Sequence, residues 1–412
     1  MSQQIQATVL TTANLSGATR GLPHIGKAGL ALALNLRRGS LIVHTPDGRV
    51  FRIDGSEPGP NAEVHLRTWG LVGRALRSGD LGVHESYLAK EWSSPDITTF
   101  LELFCVNHSI INHDLSAAPF VRFVLKVRHW LNQNTRLGSR RNIAAHYDLG
   151  NRFYEMWLDP SMTYSSAVFD EPETDLTRAQ IAKYRRLAEA SRIGTDDHVL
   201  EIGCGWGGFA EFAAREIGAK VTALTISREQ FDFTSSRIQS AGLNEKVEVR
   251  LQDYRDTEGR FDRIASIEMF EAVGEKFWPT FFDRMRERLK PGGVAGLQVI
   301  TIRDEFFEAY RRTPDFIQRY IFPGGMLPTP SIMNDLGQRS GLQLTSEKVF
   351  GQDYARTLET WRHRFGDAWP RIVPLGFDEK FKRLWEYYFH YCEAGFRSGN
   401  IDVRQMVYTR NI

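Results

Sequence analysis

The sequence predicts an α/β protein built on a parallel, doubly wound sheet with helical insertions, preceded by a small N-terminal α+β domain. Three observations predict it. From Val199 onward, short apolar runs that suit buried strands alternate with stretches of helical periodicity. A glycine-rich turn, Gly203-Cys204-Gly205-Trp206-Gly207-Gly208, stands between the first of these strands and its helix. Between residues 39 and 66, β-prone runs are separated by Pro46-Asp47-Gly48, a turn-forming triplet, and give way to a helical pattern.

Taken in order, residues 1–25 are rich in Thr, Ser and Gly with little periodicity and read as a flexible lead-in. Residues 26–118 form the small domain: a hairpin of Ser40–His44 and Val50–Ile53, a strand near Glu63–Leu66, a helix through Leu71–Leu76, and an apolar helix around Ile97–Cys105. Residues 119–145 carry Arg122, Lys126, Arg128, Arg136, Arg140 and Arg141 among Phe123, Leu125, Trp130 and Leu131. That pattern suits a solvated amphipathic helix and linker, or an element lying on an anionic membrane surface. Residues 146–412 form the main domain. Its strands are expected at Val199–Ile202, Val221–Leu224, Val247–Leu251, Arg263–Ile267 and Val294–Ile302, with helices between them.

The bulk composition excludes several classes. The chain has 412 residues with 52 basic and 50 acidic side chains, too balanced for a nucleic-acid partner. Its three cysteines are far apart without metal-ligand spacing, which predicts neither a disulfide framework nor a metal site and fits a reducing cytoplasm. No secretory leader and no apolar run of membrane-spanning length are visible. A lipid substrate would therefore be reached from the inner face of the cell membrane by peripheral association.

The turn after the first strand lets a ligand lie against the backbone. An acidic residue, Glu201, stands two positions before its first glycine, the second strand ends at Thr225-Ile226-Ser227, and Gln252-Asp253-Tyr254 follows the third. In a sheet that binds S-adenosylmethionine, these strand ends meet the amino-acid part, the ribose and the adenine. NAD is the second choice, disfavoured because no acidic ribose ligand ends the second strand. A phosphate-gripping loop is unsupported, since no GxxxxGK[ST] is present.

These segments form a collinear string with His146–Asn151, Met162–Ser165, Ala179–Lys183, Met269-Phe270-Glu271, Arg319–Gly325 and Asp353–Leu358. The string, from about residue 140 to the C-terminus, resembles the cyclopropane-fatty-acyl-phospholipid synthase and mycolic acid cyclopropane synthase family. Residues 39–110 resemble its smaller domain less specifically. The resemblance implies a Rossmann-like class I methyltransferase fold. It implies that Tyr164 and Ser165 close over the methionine end of the cofactor, with Gly203 and Gly205 beneath it; His146, followed by Tyr147-Asp148, reads as a cofactor-side contact or a surface histidine. Thr225 and Gln230 would then lie near the ribose, and Asp253 and Tyr254 beside the adenine.

It also implies transfer of a one-carbon unit to the double bond of an unsaturated phospholipid acyl chain. A bicarbonate held by a carboxylate, a tyrosine, a histidine, a cysteine and backbone amides would take up the proton released. Glu271 and Tyr354 match the carboxylate and the tyrosine, but Ser166 and Gln298 stand where the family has cysteine and histidine. Both still donate hydrogen bonds, though neither titrates near neutrality. The changes leave bicarbonate open, with Glu271 as the alternative base, and leave a cyclopropane and a methyl- or methylene-branched product equally open. Glu268, where the family often has glycine, places a second carboxylate nearby. Aromatics of segment 303–322 are expected to line an acyl pocket, with Arg311, Arg312 and Arg319 near headgroups. A homodimer and a partner oxidoreductase remain open. The competing readings are methylation of a non-lipid small molecule or RNA, and a non-catalytic lipid- or cofactor-binding relative.

Overall fold

The computed structural model describes residues 7–107, 149–172 and 174–411, so the basic segment 119–145 and His146 lie outside the described residues. The chain forms two compact units: the described residues up to Asn107 with Phe377–Asn400, and those from Leu149 to Gly376 with Ile401 onward.

In the first unit, strands β1 (Thr8–Val9), β2 (Arg38–His44), β3 (Val50–Asp54), β4 (Glu57–Leu66) and β5 (Trp92–Ser93) form a sheet of order β1-β3-β2-β4-β5. The expected hairpin is present, with Gly48 at φ +85° in its turn. Two expectations are corrected here. Residues 1–25 are not wholly a lead-in, because β1 pairs with β3 in parallel and Leu10 is buried. The main domain does not own all of 146–412, because helix Glu379–Arg397 belongs to the first unit. There Thr98 Oγ1 donates to Glu393 Oε2 at 3.0 Å, and the Arg383 guanidinium lies 3.9 Å from the centre of the Tyr87 ring. Trp385, Tyr387, Tyr388 and Phe389 are buried on this helix, so they pack the first unit's core.

The second unit holds β6 (His198–Ile202), β7 (Lys220–Thr225), β8 (Val247–Leu251), β9 (Phe261–Ile267), β10 (Leu289–Ile302), β11 (Leu342–Val349) and β12 (Ile401–Arg410). Their order is β11-β12-β10-β9-β6-β7-β8, with β12 antiparallel to both neighbours and β10, β9, β6, β7 and β8 mutually parallel. The central strands β6 and β7 are buried almost throughout, as strands covered on both faces must be. One face packs on Phe281, Phe282 and Met285 of helix Trp278–Arg288, and the other on Tyr184, Ala188 and Phe209. The chain leaves β6 toward β7 on one side and returns as β9 on the other, so a crevice opens beyond the ends of β6 and β9. Ligands of open parallel sheets bind at such a reversal.

Candidate active site

The turn after β6 forms one wall of the crevice. Gly203, Gly205 and Gly207 all take positive φ. A side chain at Gly203 would strike Met269, with its first carbon 2.6 Å from Met269 Cγ. The same atom at Gly205 would meet nothing within 4 Å, so this backbone faces open space.

The residues expected at the cofactor are held as follows. Thr225 Oγ1, at the end of β7, donates to Gln230 Oε1 at 2.8 Å and accepts from Ser227 N–H at 3.1 Å. After β8, Asp253 is clamped by Arg255, whose Nη2 lies 2.6 Å from Oδ2. The Tyr254 ring packs edge-on to Phe281, and burial pushes its phenol up to about 12. Tyr164 sits among Tyr154, Trp157 and Trp361, with ring centres 5.2–5.7 Å away. Two buried atoms facing no partner among the described residues, Tyr254 Oη and Glu201 Oε2, are polar groups that a bound molecule could satisfy. Burial raises the Glu201 carboxyl to about 8, against the opposing pull of Arg237. The open backbone and the orphaned polar atoms fit S-adenosylmethionine.

A second cluster is built around Glu268. This residue follows β9 at φ +50°, a region that side-chain-bearing residues rarely occupy. Tyr354, on helix Gly351–Ile372, donates its hydroxyl to Glu268 Oε2 at 2.6 Å. Ser166 N–H donates to Oε1 at 2.9 Å, and Gln298 Nε2 donates to the same oxygen at 2.8 Å. The Gln298 amide is oriented from behind: its Oε1 accepts from Gln405 Nε2 at 3.1 Å, and Gln405 Oε1 accepts from Arg186 Nε at 2.9 Å. Gln298 and Gln405 face each other because β10 and β12 pair in that register.

Tyr354, Gln298 and Ser166 thus come together around Glu268. The Ser166 hydroxyl turns away and donates to Ala167 O, so only its backbone amide takes part. Glu271, in the short turn after β9, accepts from Ile300 N–H at 2.5 Å through Oε1. Its Oε2 is buried with no partner among the described residues. Burial first, and then the charge of Glu268, push Glu271 up to about 8. Burial also raises Glu268, but Lys183, Tyr354, Gln298 and the Ser166 amide all oppose it. Two close carboxyls cannot both ionise cheaply, and the one with more donors keeps the charge. The donors around Glu268 therefore favour its ionised form over that of Glu271, whose carboxyl burial and the Glu268 charge push up to about 8.

Three contributors were given no role from the sequence, although Gln180 and Lys183 fall in the Ala179–Lys183 string. Helix Leu176–Ala190 buries Ala179, Gln180, Lys183, Tyr184 and Leu187 at helical spacing. Lys183 Nζ donates to Ser165 Oγ at 2.6 Å and Gln180 Nε2 to Ser165 O at 3.0 Å, fixing the segment that carries Tyr164 and Ser166. Burial lowers the Lys183 ammonium to about 7, against the opposing pull of Glu268 and Asp159. The signal was legible as two polar residues on an otherwise apolar helical face. Gln405, the third, carried no such signal.

The insertion after β10 consists of helix Asp304–Arg312 and a turn at Ile317–Ile321. Phe307 and Phe316 are buried, while Phe306 and Tyr310 pack partly exposed on the core. The insertion is tied to the site where Met326 N–H donates to Glu271 O at 2.9 Å. Arg311 pairs with Glu275 and Glu308, and Arg312 with Glu308; the Arg319 guanidinium lies 5.2 Å from the Tyr320 ring centre. Among the described residues, the one grouping that could hold a metal is His44, Glu63 and His65 in the first unit. There both imidazoles already share Glu63 Oε1 at 2.8 and 2.9 Å.

Comparison with known proteins follows the same outline. A family profile described as mycolic acid cyclopropane synthetase matches residues 134–406. The chain is 38% identical to the tuberculostearic acid methyltransferase UfaA1 of Mycobacterium tuberculosis, across 94% of this chain and 92% of that one. It is 34% identical to the cyclopropane-fatty-acyl-phospholipid synthase of Escherichia coli K12, across 87% and 90%. Among solved structures, the cyclopropane synthase MmaA2 from Mycobacterium tuberculosis superposes with a TM-score of 0.62 at 30% identity, covering 66% of this chain and 98% of that one. The mycolic acid cyclopropane synthase CmaA1 complexed with SAH and CTAB superposes with a TM-score of 0.63 at 29% identity, with the same coverage.

Proposed function

Because the chain belongs to the mycolic acid cyclopropane synthetase family and is an S-adenosylmethionine-dependent C-methyltransferase, we propose that it adds a one-carbon unit to the double bond of an unsaturated phospholipid acyl chain. One observation carries this reading: two buried carboxyls follow β9, Glu268 holding hydrogen bonds from Tyr354, Gln298 and the Ser166 amide, and Glu271 holding one from Ile300 N–H with its other oxygen unpartnered among the described residues. Bound S-adenosylmethionine supplies a methyl group on a positively charged sulfur, an electrophile strong enough for an alkene. Gly203, Gly205, Thr225, Gln230, Asp253 and Tyr254 would hold that group, with Tyr164 and Ser165 closing over it. An alkene that takes up the methyl becomes a cation on the acyl chain and must lose a proton. The partly exposed aromatics of the insertion supply apolar surface for the chain and keep water from the cation. A carboxylate beside the cation serves both to stabilise it and to remove the proton.

Loss of the proton from the new methyl group closes a ring, and loss from a neighbouring carbon leaves a branch. The branched outcome is favoured by the relative with 38% identity, a methyltransferase by name. A saturated branch further requires a hydride from a partner oxidoreductase. No helix among the described residues is long and apolar enough to cross a membrane. In this proposal the phospholipid is met at the bilayer surface.

The test is expression in a bacterium with monounsaturated phospholipids and no cyclopropane synthase of its own. Methyl-labelled methionine is supplied and the fatty acids are read by gas chromatography–mass spectrometry. A labelled gain of one carbon and two hydrogens is expected, and its fragments assign ring or branch. Folded protein that binds the cofactor but labels no lipid would turn attention to small molecules or RNA.

A further inference from the structure

We propose that Glu268 is the catalytic proton acceptor, a base built into the chain, and that the reaction accordingly runs without bicarbonate. The inference rests on the reading that an acyl-chain cation must be deprotonated, and it identifies the group that does so. The donors expected to gather a free anion are the Tyr354 hydroxyl, the Gln298 amide and the Ser166 N–H. All three are spent on the Glu268 carboxylate, at 2.6, 2.8 and 2.9 Å. A carboxylate has about four lone-pair positions. With three occupied by partners among the described residues, one remains to receive a proton.

The backbone supports the same conclusion. Glu268 is held at φ +50°, one of four positive-φ residues other than glycine among those described. Such a residue costs about 1–3 kcal/mol and persists where its surroundings demand it. Here the bend at the end of β9 turns the side chain back toward the three donors. Glycine would hold the same bend without strain but would leave those donors with nothing to bind.

The charged and titratable groups facing Glu268 divide the labour. Lys183, from helix Leu176–Ala190, is the cation whose field opposes the cost of burying the carboxylate. Glu271, from the turn after β9, retains its proton and adds no second charge. Tyr354, from helix Gly351–Ile372, donates. In the step, the alkene electron pair forms the bond to the incoming methyl carbon as its bond to sulfur breaks. The C–H bond beside the cation then gives its proton to Glu268 and its electron pair to the new ring or double bond. Glu268 ends the step as a neutral acid and returns the proton to water.

The wild-type enzyme is assayed in CO2-free buffer with and without added bicarbonate, and the rates should agree within about twofold. Glu268→Gln should lose a hundredfold or more of kcat, within the range of about 10²–10⁴ for a general base, with cofactor binding by calorimetry unchanged. Glu268→Gly relieves the backbone strain and empties the carboxylate position, so added formate or bicarbonate should recover part of the activity. Carbon-13 NMR should show labelled bicarbonate bound to Glu268→Gly and not to wild type. A wild-type rate that collapses on depletion and returns with bicarbonate overturns the proposal, as does bound bicarbonate in the wild type. If wild type labels no lipid at all, the acyl-chain reading has failed. The NMR comparison still decides whether Glu268 fills the anion position.

Discussion

At the residue scale, the site shows how position outweighs residue type. Glu268 and Glu271 are three residues apart and chemically identical, yet one meets three donors and a nearby ammonium while the other meets one amide and an orphaned oxygen. Their roles separate for that reason alone. Lys183 is a positioning residue in this scheme: it fixes Ser165 by a 2.6 Å hydrogen bond and its charge favours the ionised form of Glu268. Lys183→Gln should keep the hydrogen bond to Ser165 and lose the charge. The acidic limb of the kcat profile should then move to higher pH by about one unit or more, the usual effect of removing an opposite charge. A fall in rate with an unmoved limb would reduce Lys183 to a packing role. Glu268 was visible in the sequence as a departure from glycine, but the sequence could not show that it captures the partners assigned to Glu271.

At the scale of elements, the pairing of β10 with β12 matters to the chemistry because it sets Gln298 against Gln405. Arg186, from the helix packed on the sheet, orients Gln405, Gln405 orients Gln298, and Gln298 presents its amide nitrogen to Glu268. Gln405→Leu would leave Arg186 Nε and Gln298 Oε1 without these partners, at a cost of about 1–3 kcal/mol for a buried polar group left unmade. Chemical denaturation should register that loss. With the Gln298 amide no longer fixed, kcat should fall about tenfold, with cofactor affinity unchanged. Loss of stability alone would separate the network from the reaction. The β-strands around the glycine turn were legible because buried parallel strands are apolar runs. The partner of Gln298 was not, because strand register joins residues far apart in the chain.

At the scale of the whole molecule, the buried titrating groups make stability depend on pH. Glu201 and Glu271 hold their protons to about pH 8 when folded, against an ordinary carboxyl value of 4.5 when unfolded. Between those values the folded state binds more protons, so their contribution is complete below 4.5 and is lost as pH rises through 8. Lys183 runs the other way: its folded value of about 7 lies below its ordinary 10.5, so the folded state binds fewer protons in that window and stability recovers as pH rises through it. The steepest loss should therefore fall between pH 5 and 7, before the lysine begins to compensate. Glu201→Gln and Glu271→Gln should flatten it, raising Tm at pH 8 relative to pH 5 by several degrees at about 2–4 °C per kcal/mol. Mutant and wild-type curves that run parallel between those pH values would show that neither carboxyl carries the effect.

The sequence by itself determined the doubly wound sheet, the glycine turn after its first strand and the family to which the chain belongs. Each of these is written in contiguous residues, through strand apolarity, turn chemistry and ordered motifs. Two decisions belonged to the tertiary structure. Helix Glu379–Arg397 joins the first unit although its neighbours in the chain belong to the second, because a helix packs where its buried face finds a partner. Tyr354, Gln298 and Ser166 serve Glu268 rather than Glu271, because a hydrogen bond is settled by ångström distances among residues on four separate segments. Sequence spacing carries no information about such distances.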